Sequence, residues 1–369
     1  MKLIYLTSQA YPSGKVDPVF WSSMAKAFTG LLDGDFVFLV RGHIPDVLRG
    51  INTLSTKAPK RFKTVFYFFW LPINIIVRRW YTRGTVFFSA DAYLLSIVIF
   101  WRQIFRFKYT VCSDWHQMFD DWRDTYVAGH SDFLITTSQR LKSLIVSKCG
   151  VSADTVLVAY GGIDPAPFTE QSSISKEEHR RRLGLPTDMF LVGYVGGFRS
   201  VGLEKGLSTM IGALPDLDKK IHMVFVGGSE QHIEAYKKEA EDLNVEQQCI
   251  FVKKQPFEKV VAYELAMDAL VIPYPDTHHF RDYGFPLKVW EYMASGRPII
   301  YSDLEIIREV LEGRGVSFRP DDSADLVRAV RAVRQDGSLF ERNAKENQVH
   351  VRSYTWVERA RHIVDFIRT

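Results

Sequence analysis

Cysteine is scarce: Cys112, Cys149 and Cys249 are the only three in 369 residues. Their wide spacing offers neither a disulfide framework nor a zinc pattern. A reducing, cytoplasmic setting is therefore expected. Long apolar runs are also missing. Val65-Phe66-Tyr67-Phe68-Phe69-Trp70-Leu71 and Leu94-Leu95-Ser96-Ile97-Val98-Ile99-Phe100-Trp101 both fall short of the roughly 18–20 residues a spanning helix needs. The opening Met1-Lys2-Leu3-Ile4-Tyr5-Leu6 is too short an apolar run for a signal peptide and precedes no cleavage site, so it is expected to be a strand. No recognised nucleic-acid motif accompanies the basic residues, which argues against a nucleic-acid partner.

What is present is the composition of a globular protein, 46% hydrophobic and 24% charged, in a chain long enough for two domains. Charge is unevenly placed. Residues 1–170 carry 19 Lys/Arg against 13 Asp/Glu, whereas the rest of the chain is slightly acidic. Within residues 41–110, 12 basic side chains face only Asp46 and Asp91. Interleaved with aromatic residues, they predict peripheral contact with an anionic membrane through residues 41–110. The alternative is that the two apolar runs are a buried strand and a buried helix of an α/β core. Pro72 and Asn74 break the first run in either case.

The stretch Gly284-Phe285-Pro286-Leu287-Lys288-Val289-Trp290-Glu291-Tyr292-Met293-Ala294-Ser295-Gly296-Arg297-Pro298 predicts a short helix that holds an anion at its front end. Pro286 suits the first helical position. Gly296 suits the left-handed residue past the end, and Pro298 prevents continuation. The free N–H groups expected at residues 285–288 form a phosphate seat. Lys288 and Glu291, three apart, share one face. A cation and a carboxylate beside such a seat point to a nucleotide, with Lys288 for charge and Glu291 for ribose hydroxyls. An ordinary capped core helix, with Leu287, Val289, Met293 and Ala294 inward, is the competing reading.

Strand-like and helical segments alternate along the chain. Strands are expected at 2–7, 35–40, 85–89, 109–113, 133–137 and 156–159, then at 190–195, 222–226, 250–252, 269–273, 299–301 and 315–318. Helices are expected at 20–32, 139–148, 205–213, 233–243, 257–267, 287–294, 325–335 and 354–368. The pattern predicts an α/β chain of two Rossmann-like domains facing across a cleft. The polar segment Thr169–Ser175, leading into the charged run Lys176–Arg182, is expected to link them. Boundaries follow at 1–168, 169–353 and 354–369.

Several motifs then align with one family. Tyr160-Gly161-Gly162-Ile163-Asp164-Pro165-Ala166-Pro167-Phe168, Ser131-Asp132-Phe133-Leu134-Ile135-Thr136-Thr137-Ser138 and Val192-Gly193-Tyr194-Val195-Gly196-Gly197-Phe198-Arg199, followed by Lys205-Gly206, resemble the retaining glycosyltransferases of family 4. The resemblance runs nearly end to end and implies the GT-B fold, with an N-terminal acceptor domain, a C-terminal donor domain and a last helix crossing back. It implies that Arg199 and Lys205 bind the donor phosphates and that Glu291 holds the ribose. Gly197 would let the backbone approach the ligand. Gly14 and Lys15, in Ser13-Gly14-Lys15, match the family's glycine loop; a strand-to-helix turn calls for a glycine in any case. His116 is implied to line the reaction centre near the transferred sugar, with a structural histidine as the alternative.

One position departs from the family pattern. Tyr283 stands where a second glutamate is common, and the segment resembles a Ser-Pro-Leu-Lys…Glu-Tyr-Met variant with Phe285 at the serine. The donor-site assignment accordingly comprises Gly14, Lys15, Gly197, Tyr283, Phe285, Leu287, Lys288 and Glu291, and the catalytic one His116, Arg199 and Lys205. Asp120, Asp121 and Asp124 read as a solvated helix start, and His278-His279 lacks a third ligand, so no metal or other cofactor is expected. The implied activity is transfer of a sugar from a nucleoside-diphosphate sugar to a glycan or lipid-linked acceptor, in cell-surface polysaccharide biosynthesis. A nucleotide-sugar epimerase and a non-catalytic GT-B scaffold remain open.

Overall fold

The computed structural model describes residues 1–10, 17–44 and 46–369. It divides into two compact units, Met1–Gly162 with Trp356–Thr369, and Ile163–Thr355. The expected boundary after residue 168 falls inside a helix, Ala166–Gln171. The chain's entry to and exit from the second unit are tied together instead, where Ile163 bridges Thr355 and its N–H donates to Tyr354 O at 2.9 Å.

The first unit holds β1 (Lys2–Ala10), β2 (Phe36–Arg41), β3 (Thr53–Thr56), β4 (Thr85–Ser89), β5 (Thr110–Trp115), β6 (Phe133–Thr136) and β7 (Val156–Val158). They form one parallel sheet in the order β3-β2-β1-β4-β5-β6-β7. Helices on both faces bury its central strands, so they read as unbroken apolar runs rather than alternating ones; β4 is buried at every position. Tyr5 anchors the core, with the rings of Phe38 and Phe88 each 5.0 Å away. The chain runs outward from β1 to β2 and β3, then returns to place β4 on the other side of β1. That reversal opens a crevice at the carboxyl ends of β1 and β4. The last helix, Trp356–Arg368, buries Ala360, Ile363, Val364 and Ile367 in this core, the helical spacing of one apolar stripe.

Residues 65–71 are not a strand. They lie in the helix Lys63–Val77, which runs through Pro72. Proline has no N–H to offer the carbonyl four residues back. Here that carbonyl, Phe68 O, accepts instead from the Trp101 indole N–H at 2.8 Å. An unmet buried carbonyl costs about 1–3 kcal/mol, so this long-range bond lets the helix continue. Asn74 does not break it either, since its side-chain amide donates to Trp70 O at 2.9 Å.

The second unit holds β8 (Phe190–Val195), the two-residue strands β9 (Arg199–Ser200) and β10 (Leu203–Glu204), β11 (Ile221–Gly228), β12 (Cys249–Lys253), β13 (Ala269–Ile272), β14 (Ile299–Ser302) and β15 (Val316–Phe318). Its parallel sheet has the order β12-β11-β8-β13-β14-β15, while β9 and β10 form an antiparallel hairpin. The reversal falls between β8 and β13. Of the expected linker, residues 169–171 end the helix Ala166–Gln171 and residues 172–175 form a turn, while the charged run lies in the helix Lys176–Leu183. Ser175 caps the second, accepting from Glu178 N–H at 3.2 Å. Arg180 from that helix is buried, with its guanidinium 2.6 Å from Asp268. The Ser175…Glu178 spacing is the sequence signal that marks this helix start.

Candidate functional site

The crevice between β8 and β13 gathers Gly197, Lys205, Leu287, Lys288 and Glu291 of the residues expected to bind a donor. Beyond β8 the chain passes Gly196 and Gly197, turns through the β9–β10 hairpin and reaches Lys205. Beyond β13 it passes Pro273 and Tyr274 and arrives at the helix Lys288–Ser295. Two glycines permit this closeness. A Cβ at Gly196 would sit 1.9 Å from Lys288 Cε, and one at Gly206 would sit 1.6 Å from Pro273 O. Lys288 therefore lies directly across the Gly196 backbone.

Lys288 Nζ is 3.0 Å from Glu291 Oε2 and 3.9 Å from Glu264 Oε1. Burial would lower its pKa, but these two carboxyl groups outweigh burial and raise it. Lys205 is compensated less, by Glu291 alone. Its ammonium lies 5.4 Å from the Tyr274 ring centroid. Burial first, and then the charge of Lys288, lower its pKa to about 8. The pocket thus holds two lysines that repel one another, and Glu291 pairs with only one of them. An incoming anion would relieve that repulsion.

The backbone supports the same reading in part. The helix begins at Lys288, with Leu287 already in helical conformation as its N-cap. Pro286 lies ahead of the first turn, and its carbonyl accepts from Val289 N–H at 3.1 Å. Phe285 N–H donates to Tyr283 O at 2.9 Å. Of the amides expected at 285–288, those of Leu287 and Lys288 donate to no group among the described residues. Gly296 adopts the left-handed conformation at φ 65° and closes the helix.

Other expected residues sit differently. The Arg199 guanidinium folds back on its own hairpin, donating from Nη2 to Gly202 O at 2.8 Å. Gly197 contributes a carbonyl, which accepts from the Tyr194 hydroxyl at 2.8 Å. Tyr283 is buried edge-on against His278, ring centroids 5.0 Å apart. Phe285 packs on Trp290, which stacks on Tyr354 at 4.1 Å. Tyr283 and Phe285 thus brace the loop that leads into the helix. Glu264 is a residue that sequence reasoning missed. It is fully buried, neither carboxyl oxygen has a hydrogen-bond partner, and burial followed by the charge of Glu291 pushes its pKa well up. In sequence it is one polar residue of an amphipathic helix, and nothing local marks it.

In the first unit His116 follows β5. Its Nε2 is 3.3 Å from Asp114 Oδ2, and its ring packs on Phe20 with centroids 4.3 Å apart. Asp114 is itself held by Arg359 of the last helix, Nη2 to Oδ1 at 2.8 Å, with both side chains buried. Burial would raise the Asp114 pKa, but Arg359 and then His116 hold it below the usual carboxylate value. Gly14 and Lys15 lie outside the described residues. At the β1–β4 crevice, Ser8 meets three side chains the sequence reading did not single out. Arg41 Nε donates to Ser8 O at 2.9 Å, Lys63 Nζ donates to Ser8 Oγ at 3.0 Å, and Ser8 Oγ donates to Asp91. Asp121 caps the helix Trp122–His130, and Asp124 accepts from the N–H groups of Phe119 and Asp120. Among the described residues no group of three or more His, Cys, Asp or Glu is arranged to hold a metal ion. No described helix is long and apolar enough to cross a membrane.

Comparison with known proteins agrees with this architecture. Residues 175–350 match the family model of the glycosyl transferases group 1. A D-inositol 3-phosphate glycosyltransferase of Stackebrandtia nassauensis is 25% identical over 62% of this chain and 52% of its own length. A glycogen synthase of Mycobacterium tuberculosis is 28% identical over 60% of this chain and 50% of its own length. The chain spans about half the length of the curated relatives it matches. Among solved structures, Anabaena Alr3699/HepE in complex with UDP superposes with a TM-score of 0.79 at 16% identity, covering 100% of both chains. The likeness shows the fold: two Rossmann-like α/β domains of the GT-B type.

Proposed function

We propose that the protein is a glycosyltransferase that moves a hexosyl or related sugar from a nucleoside-diphosphate sugar to a glycan or lipid-linked acceptor. The observation that carries this reading is the lysine pair of the β8–β13 crevice. Lys288 is threaded over Gly196 and bound to Glu291, and among the described residues Lys205 forms no ion pair. A diphosphate supplies the missing negative charge, and the Leu287 and Lys288 amides supply hydrogen bonds to it. Glu291 is then free to accept from ribose hydroxyls. The match to the glycosyl transferases group 1 and the UDP bound by the Anabaena neighbour support this choice of ligand and favour UDP as its nucleotide.

The reaction follows from that charge distribution. Breaking the bond between the anomeric carbon and the phosphate oxygen places negative charge on the β-phosphate. Lys205, Lys288 and Arg199, turned from Gly202 toward the donor, stabilise it, an electrostatic contribution that grows where water is excluded. The acceptor hydroxyl adds to the anomeric carbon, and the departing phosphate oxygen takes its proton. Attack from the face the phosphate leaves gives retention of configuration, in keeping with the family the motifs resemble. His116, fixed by Asp114, is the residue that the family resemblance assigns to the transferred sugar. No metal takes part. The setting we infer is the cytoplasmic face of a membrane, in cell-surface polysaccharide synthesis.

Release of nucleoside diphosphate from UDP-sugars or GDP-sugars, followed with and without glycan and lipid-linked acceptors, tests this reading. The expected result is acceptor-dependent release that Lys205→Ala and Glu291→Ala abolish. Nucleotide binding without any turnover would favour a scaffold. Interconversion of the sugar without acceptor would indicate an epimerase.

A further inference from the structure

Helix Lys63–Val77 is apolar on two opposite faces. Tyr67, Leu71 and Ile75 are fully buried and, at 100° per residue, share one side. Phe62, Val65, Phe69, Ile73, Ile76 and Val77 lie on the other, between 49% and 74% exposed. A helix that is apolar all round belongs in a protein core or in hydrocarbon. This one has 15 residues, too few to span a bilayer. The exposed face continues onto the helix Ala92–Phe105, which presents Phe100, Ile104 and Phe105. The two helices are locked together by Phe68, whose ring lies 5.4 Å from Phe100 and 5.2 Å from Trp101. A monomer seldom leaves so much contiguous apolar surface to water.

The charge around this face selects its occupant. Lys60, Arg61, Arg78, Arg79, Arg83 and Arg106 are exposed, and among the described residues none is paired with a carboxylate. The sequence has no Asp or Glu between Asp46 and Asp91. We propose that the two helices form a docking surface for an anionic lipid bilayer. The apolar side chains enter the acyl boundary, and the arginines and lysines meet the headgroup phosphates. The helix begins at Lys63, whose ammonium already reaches Ser8 at the β1–β4 crevice. Docking therefore brings that crevice to the membrane surface, where the head group of a lipid-linked acceptor would enter; this last step rests on the glycosyltransferase reading.

Co-sedimentation of the full chain with vesicles of phosphatidylcholine, alone or mixed with phosphatidylglycerol, tests the proposal. Binding should require the anionic lipid and weaken with salt. Combining Phe69→Ser with Ile73→Ser should reduce partitioning at least about tenfold. Replacing Arg78, Arg79 and Arg83 together by serine should reduce it about a hundredfold. All five side chains are wholly or largely exposed, and an unchanged melting temperature and nucleotide response would show each variant to be folded. The proposal is overturned if the protein ignores anionic vesicles, if the variants bind them equally well, or if the protein is a dimer that Phe69→Ser with Ile73→Ser dissociates. Vesicle binding is read independently of nucleotide binding, so failure of the donor assignment would leave this result standing.

Discussion

On the glycosyltransferase reading, Lys205 should make donor binding depend on pH in a direction fixed by its surroundings. Its pKa in the free protein is about 8, lowered by burial and by Lys288. A bound diphosphate favours the charged ammonium and moves that pKa back up. Above pH 8 the free site has lost the proton that the occupied site holds, so binding takes up a proton and affinity falls as pH rises. From about pH 7 to about pH 9 the protonated fraction drops about tenfold, and binding should weaken by the same factor, ~1.4 kcal/mol. The diphosphate of a nucleotide sugar does not itself titrate in this range. Calorimetric titration in two buffers of different ionisation enthalpy would read both the affinity and the proton uptake. Lys205→Arg, charged throughout, should bind with little pH dependence, and Lys205→Met should bind weakly at every pH. A flat profile in the native protein, or the same slope in Lys205→Arg, would refute the reasoning. Without ligand the sign reverses: the unfolded lysine keeps its proton between about pH 8 and its ordinary 10.5, so stability from this group should rise over that window.

Two further outcomes concern stability. Arg359→Met strands the buried Asp114 carboxylate and should cost about 3–5 kcal/mol in urea unfolding at neutral pH; Asp114→Asn in the same chain should recover much of it. Because Asp114 is held below the usual carboxylate value, the pair's contribution is present above the unfolded carboxylate pKa. It should be lost as pH falls through the folded value, so the native protein and Arg359→Met should converge in acid. Glu264→Met should be neutral or stabilising by about 1 kcal/mol, because it removes a buried acid whose oxygens accept no hydrogen bond and whose one ion pair, to Lys288, is long at 3.9 Å. The raised pKa of Glu264 means its cost grows as pH rises above the unfolded carboxylate value, so the gain should be larger at pH 7 than at pH 4 in thermal melts.

The sheets were legible because parallel strands buried on both faces leave unbroken apolar runs, as in Thr85–Ser89 and Phe190–Val195. Short, polar or strained elements were not. Strand Thr53–Thr56 contains no strong apolar run, and the β9–β10 hairpin has two residues per strand. The helix through Pro72 could not be read locally, since its repair comes from Trp101, 33 residues away. The helix Lys176–Leu183 that follows the polar segment 169–175 carries its own signal, Ser175 three residues before Glu178 with Gly184 past the end. At the β8–β13 crevice the spacing of Lys288 and Glu291 was enough to pair them. Glu264 and the Asp114–Arg359 pair depend on tertiary closure across long stretches of chain, and no local pattern encodes that.

A thermal-shift screen would decide whether the β8–β13 crevice binds a nucleotide. UDP, GDP and their common sugars would be added to the native protein and to Glu291→Ala. One nucleotide, UDP first among them, should raise the melting temperature of the native protein by mass action, and Glu291→Ala should lose the rise. No shift with any nucleotide, or an equal shift in Glu291→Ala, would contradict binding at this crevice.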